Sequence, residues 1–408
     1  MKRIFTLLLL TVMVVGLLAG CGQKEEKVDL KIAEWSEIEE LARGSEVNFY
    51  MWGGSSGINK WIDTYVSEKM KDRYNIKVNR VPMNASEFIN KLLTEKEAGK
   101  KDGSMDLIWV NGENFKTARQ ADMLWGPFSG KIPNFKKYID EDDPSVKYDF
   151  GYPVEGYEAP YGKAQFVFIY NSEKVKNPPN NFAELAEWVK EHPGKFAYPA
   201  LPDFIGSAFV RMALYDQTGG YQKYLEYEEG LIDEKAAPLW DYLNEIEPYL
   251  WRNGETYPQN IAQVDNLYSK GEIWMTMDYN PAKAANMINQ GIFPESSRSL
   301  VFDTGTIANT HFLAIPFNAS NKAGAMVLTN FLESPEAQIS KFKPENWGDM
   351  IALDINSLPD KYQKEIESVN KSEATLSLKT LTENRVPEIP ADYIPVIEEK
   401  WERNVLKK

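Results

Sequence analysis

EVNFYMWGGSSGINKWIDTYVSEKMKDRYNIKVNRVPMNASEFINKLLTEKEAG, residues 46–99, alternates two periodicities, and that alternation decides the fold class. Glu46 to Trp52 is a short apolar and aromatic run, a strand, that stops at Gly53-Gly54-Ser55-Ser56-Gly57. Ile58, Trp61, Ile62, Tyr65, Val66 and Met70 then follow at helical spacing. Residues 76–82 (IKVNRVP) alternate as a half-buried strand does, and Phe88, Leu92 and Leu93 restore the helical period as far as Gly99. Asp106 to Val110 (DLIWV) is a third strand, broken by Asn111-Gly112-Glu113-Asn114 before another helix near Phe115. Strand–helix alternation of this kind predicts right-handed crossovers and a mostly parallel sheet. Ligands of such sheets bind beyond the carboxyl ends of the strands, here the loops 52–57 and 111–114.

Downstream, residues 132–160 are rich in Pro, Tyr and Asp and read as loop. Ala164 to Asn171 (AQFVFIYN) reads as one strong strand. Helices are predicted over 181–190, over 204–218 opening at Gly206-Ser207, and over 236–251, 260–270 and 281–289. Lys195–Pro199, Glu272–Asp278 and Thr310–Pro316 are predicted strands, and 322–332 a helix. From Lys341 the pattern is helical fragments with prolines, without an assignable order. No repeat of fixed period is present, which argues against a solenoid.

Upstream, MKRIFTLLLLTVMVVGLLAGCG (1–22) has a basic start at Lys2 and Arg3, an apolar run from Ile4 to Leu18, and small residues before Cys21. This is the pattern of a secretory signal peptide over residues 1–20. Cys21 is the only cysteine in 408 residues, and standing after Leu-Ala-Gly it resembles the lipobox of bacterial lipoproteins. That resemblance implies acylation of Cys21 and an extracytoplasmic, lipid-anchored protein. A plain cleaved signal with a stray cysteine and an uncleaved membrane helix are the other readings. Residues 21–45, charged and only weakly helical around Trp35, read as a lipidated tether. Beyond it the chain is longer than a single core usually supports, so two domains are expected. A net charge of −14 argues against a nucleic-acid partner.

The order of these parts is similar to that of the solute-binding proteins of bacterial ABC importers, the large family that includes maltose-, polyamine-, iron- and thiamine-binding types. The lipobox, the glycine loop, AQFVFIYN near 170, MDYNPAKA near 280, and above all THFLAIPFNASNKAGAMVLTNFLESPEAQ over 310–338 carry the resemblance, which spans the mature chain. It implies an α/β fold of two lobes joined by crossing hinge strands, periplasmic-binding-protein-like of type II. Carried onto this chain, residues 46–165 with part of 316–408 would form the first lobe and 172–308 the second, with crossings near 166–171 and 309–315. It also implies a small-molecule solute held between the lobes, permease subunits as partners, no cofactor and a monomeric binder. A thiamine-type branch is the subfamily the chain resembles most.

In that frame the cleft candidates on the first lobe are Trp52, Gly53, Ser55, Ser56, Asn111, Glu113 and Asn114. Tyr161, Lys163 and Gln165 precede the first crossing, and Asn309 and His311 mark the return. The second lobe supplies Gly206, Ser207, Trp274, Asp278, Tyr279 and Asn280. Free backbone N–H groups at helix starts suit polar ligand atoms, and Trp and Tyr offer flat faces to a ring or an organic cation. Glu113 and Asp278 would favour positive charge. Trp52 and Trp274 could equally be core packing, Gly53-Gly54 a tight turn, Asp278 and Glu113 helix caps, and His311 a structural residue. With two histidines and no HExxH, a transition-metal site is not expected. No GxSxG elbow, P-loop or GxGxxG after a strand is present. A capture subunit for a thiamine-like or other organic cation is therefore the expectation, with a sugar binder as the alternative. An exported lipid-anchored hydrolase using a carboxylate pair stands behind both.

Overall fold

The computed structural model describes residues 28–369 and 372–407. The leader, Cys21 and the first part of the tether lie outside the described residues. Residues 28–34 form a turn in which the Asp29 carbonyl accepts from the N–H groups of Ile32 and Ala33, and from Trp35 onward the chain is one compact unit. Part of the stretch read as a tether belongs to that unit. Trp35–Ala42 is a helix that buries Ile38 and Ala42 and packs along helix Lys322–Leu332. One apolar stripe is enough to dock so short a helix.

Among the described residues the strands that follow are β1 (Glu46–Met51), β2 (Lys77–Pro82), β3 (Leu107–Val110), β4 (Leu124–Trp125), β5 (Tyr148–Asp149), β6 (Tyr152–Pro153), β7 (Glu158–Gln165), β8 (Val167–Asn171), β9 (Met275–Asp278), β10 (Ser297–Leu300), β11 (Thr306–Pro316) and β12 (Arg385–Val386). The larger sheet runs β12-β11-β3-β1-β2, with β4 and β7 also paired to β11. β1 is parallel to β2 and β3, as the strand–helix rhythm requires, whereas β11 is antiparallel to β3 and β7. The helical stretch 56–74, with a π-helical turn at Ile62–Val66, ends on Asn75 in the left-handed conformation and so releases the chain into β2. Asn84 and Glu87 form a capping box at the next helix, Ala85–Glu97. A smaller antiparallel sheet, β10-β8-β9, has its own core, in which Phe168 and Phe302 stack at 4.2 Å with Phe182 and Phe209 around them.

The apolar run AQFVFIYN is two strands, not one. β7 pairs with β11 in the larger sheet and β8 with β9 and β10 in the smaller, so the chain changes sheet at Phe166, whose N–H donates to the Ile307 carbonyl (2.8 Å). The return runs through residues 301–305, because β11 lies in the larger sheet from Thr306 to Pro316. Lys195–Pro199 forms no strand; its Lys195 and Phe196 carbonyls accept single bonds from Trp274 and Trp251.

The stretch left unassigned after Lys341 crosses back to the smaller sheet. Ala374 and Leu381 pack on Val167 and Ile169. In helix Tyr393–Trp401, Ile394, Ile397 and Trp401 enter the smaller sheet's core, and the Trp401 indole donates to the Tyr198 hydroxyl (3.2 Å).

Candidate functional site

The carboxyl ends of β1 and β3 lie side by side at one edge of the larger sheet, since Tyr50 is in register with Ile108. The loops that follow carry Trp52–Ser56 and Asn111–Asn114. Trp52 keeps 46% of its surface exposed. Gly53 is held by Asn59 Nδ2, which donates to its carbonyl (2.8 Å), and a Cβ there would run into Pro82. Ser55 caps the next helix by accepting from the Ile58 N–H, and Ser56, the first residue of that helix, is exposed. Asn111 is committed to the fold: it accepts from the Trp109 indole (3.0 Å) and donates to the Thr310 carbonyl. Glu113 and Asn114 begin helix Gly112–Gln120, whose first N–H donates to the buried Asp149 carboxylate. Among the described residues Glu113 has no ion-pair partner. Its outer side is accessible, yet desolvation by its surroundings raises its carboxyl pKa, partly offset by Arg211.

Across the crevice, the end of β9 carries Asp278, Tyr279 and Asn280, and the start of helix Phe204–Thr218 carries Gly206 and Ser207. Gly206 donates its N–H to the cap Asp203 and packs against the Pro199 carbonyl so closely that a Cβ has no room. Asp278 accepts from the Asn280 N–H (2.8 Å) and pairs with Lys283 (2.8 Å), which also pairs with Asp265 (2.7 Å). It is thus a turn-stabilising member of an ion triad. Trp274 stands at the opposite end of β9, its ring against Trp188 and His192, away from the crevice edge.

Two polar clusters join the two sides, and sequence reading anticipated only part of each. In the first, buried Arg211 donates to Glu388 through Nε (3.2 Å) and Nη2 (3.1 Å) and to Ser207 Oγ through Nη1 (2.7 Å). The Tyr279 hydroxyl and Asn309 Nδ2 also donate to Glu388. Above them Phe204, 49% exposed, lies 5.0 Å from the Tyr279 ring and 6.4 Å from that of Phe150. In the second, the buried Lys341 ammonium donates to Asp349 (2.7 Å) and to the Tyr161 carbonyl, and lies 5.2 and 5.3 Å from the ring centres of Tyr161 and Trp347. His311 contacts Asp349 (3.1 Å), and its ring lies 4.8 Å from that of Trp109. Gly162 makes room for this cluster, since a Cβ there would overlap both Asp349 and Lys341. Asn280 Nδ2 (3.2 Å) and Asn286 Nδ2 (2.8 Å), from the other side, donate to the Trp347 carbonyl.

The remaining strand candidates are enclosed. Lys163 pairs with Asp143 (2.8 Å), and desolvation, partly offset by that pair, lowers its pKa. Gln165 donates to Thr306 Oγ1 and the Asn384 carbonyl. Among the described residues, no group of three or more His, Cys, Asp or Glu could hold a metal ion, and no helix is long and apolar enough to cross a membrane.

Residues 64–366 match the family of bacterial extracellular solute-binding proteins, and the chain belongs to it. The protein YnjB of Escherichia coli K12 is 39% identical over 340 residues, covering 82% of this chain and 87% of that protein. Among solved structures, AfuA of Actinobacillus pleuropneumoniae, a periplasmic binding protein with exogenous fructose-6-phosphate bound, superposes with a TM-score of 0.62 at 14% identity, covering 89% of this chain and 99% of that one. PotD of Streptococcus pneumoniae, a spermidine/putrescine ABC transporter substrate-binding protein, gives 0.61 at 14% identity with the same coverage. The fold is therefore the two-lobed one of the periplasmic binding proteins. By that family the chain is an extracellular solute-binding protein, a binder rather than an enzyme.

Proposed function

We propose that this chain captures a small organic cation, thiamine-like in joining a charged group to a flat body, in the crevice between its two sheets. Closure of the two lobes about the solute would then present it to the permease. The observation that supports a cation is Glu113, a carboxylate without an ion pair among the described residues, at a crevice edge that also exposes the aromatic faces of Trp52 and Phe204. Solved proteins of this fold bear names and ligands from polyamine to sugar phosphate, so fold alone does not choose among solutes. A sugar phosphate would bring its anion to a carboxylate edge, which disfavours it here.

A thermal-shift screen of the leader-free protein against thiamine, polyamines, sugars and oxyanions tests the ligand class. A cation at about a hundred times its dissociation constant should stabilise the fold by about 2.7 kcal/mol. A clear shift with a sugar and none with any organic cation overturns the reading.

Cys21 is the proposed lipid attachment, holding a monomeric binding domain near its importer. Multiple acyl chains anchor stably where one binds only marginally. Cys21→Ser should leave solute affinity unchanged and move the protein from the membrane to the soluble fraction. Retention of that variant in washed membranes argues against the anchor.

A further inference from the structure

We propose that Glu113 and Glu398 form a clamp, one carboxylate from each side of the crevice, that holds the cationic N–H group of the captured solute. This deepens the organic-cation reading and rests on it. Glu113 stands in the first turn of helix Gly112–Gln120, fastened to the larger sheet's core by Phe115 and Ala118. Glu398 stands on helix Tyr393–Trp401, fastened to the smaller sheet's core by Ile394, Ile397 and Trp401. The two helices are pinned where they meet. Lys116, one turn beyond Glu113, pairs with Asp392 at the start of the second helix, and the Ala391 N–H donates to the Phe150 carbonyl (3.0 Å).

Arg211 is the cation that reaches toward both carboxylates, and its donors are already committed to Glu388 and Ser207. Neither Glu113 nor Glu398 has an ion pair among the described residues, and Ser207, whose hydroxyl accepts from Arg211, offsets the shift of the Glu398 carboxyl only in part. Desolvation and the charge of Glu113 hold the Glu398 carboxyl above its ordinary range, so a cation placed between them relieves both. A second observation points the same way. Asn309 is only 8% exposed and gives its amide nitrogen to Glu388, but its carbonyl oxygen has no donor among the described residues. An acceptor buried without a partner costs about 1–3 kcal/mol, and an N–H of the solute would satisfy it once the lobes part to admit one. The half-exposed ring of Phe204 supplies the flat surface for the body that carries the charge. The class this fits is an ammonium or amidinium on a flat or short aliphatic frame.

The test is isothermal titration of the leader-free protein with thiamine, agmatine, putrescine and spermidine, repeated on Glu113→Gln, Glu398→Gln and the double variant. For a cation that the parent binds, each single change should weaken binding about 10–100-fold, and the double change by less than the product of the two, because the carboxylates share one group. Glu398→Asp, which keeps the charge, should recover part of the loss, and urea midpoints near that of the parent separate lost binding from lost folding. If the parent binds a cation and Glu398→Gln binds it equally well, the clamp is wrong while the organic-cation reading stands. If the parent binds none of the four and responds to a sugar, that reading fails and the clamp falls with it.

Discussion

Glu388→Ala should destabilise the protein by about 3–5 kcal/mol, read as a shift in urea midpoint at unchanged slope. The Arg211 and Glu388 side chains are 1% and 4% exposed, and three groups converge on the one carboxylate in direct hydrogen bonds: the guanidinium, the Tyr279 hydroxyl and the Asn309 amide. Truncating Glu388 leaves a guanidinium in a space too dry to solvate it, which costs more than the pair contributes when intact. The pair also spans the chain: 177 residues separate its members, one on helix Phe204–Thr218 and the other two residues beyond β12, where the chain leaves the larger sheet for the smaller. The double change Arg211→Met with Glu388→Leu should therefore recover most of the loss, because neutral side chains of similar volume need no solvation. A single change costing less than about 1 kcal/mol would show that water reaches the guanidinium and that the cluster is not sealed.

That cluster also marks how far the sequence could be read. The parallel strands and their loops were legible because each strand–helix unit buries its own apolar stripe within some thirty residues, and period reveals such stripes. The division of AQFVFIYN at Phe166 was not, since both halves are buried and only their partners differ, β11 for one and β9 with β10 for the other. Ser207, Tyr279 and Asn309 stood out as residues at element ends. Arg211 and Glu388 did not: Arg211 lies inside an apolar helix, where an arginine reads as a surface position, and Glu388 in a proline-rich segment without period. Trp274 and Asp278 show a signal that was present but not used. Only the last residue of EIWMTMD stands at a strand's carboxyl end, so direction alone places Trp274 on the far side. Glu398 lies on a helix whose return to the smaller sheet is a matter of topology, which no local pattern encodes.

Trp347→Ala should cost about 3–5 kcal/mol, the loss typical of an emptied aromatic core site. Trp347 comes from the proline-broken segment after Lys341 and is 2% exposed. Its ring centre lies 5.6 Å from Trp109, 5.8 Å from His311 and 6.0 Å from both Tyr161 and Trp61, so it fills the space against the larger sheet. The same residue's carbonyl accepts from Asn280 and Asn286 on the other side. Alanine keeps that carbonyl and removes the ring, which opens a cavity and takes from the Lys341 ammonium one of the two aromatic faces beside it. Desolvation already lowers the pKa of this lysine, with Asp349 opposing the shift, so losing a favourable face adds to the cost of holding that charge buried. Trp347→Phe retains a ring for both roles and should cost less than half as much. Asn286→Ala removes only a bond to that carbonyl and should cost less again, about 0.5–1.5 kcal/mol. If Trp347→Ala and Trp347→Phe proved equally mild in urea unfolding, the indole would not be packed in this cluster, and the cluster's tie between the sheets would rest on the two asparagines.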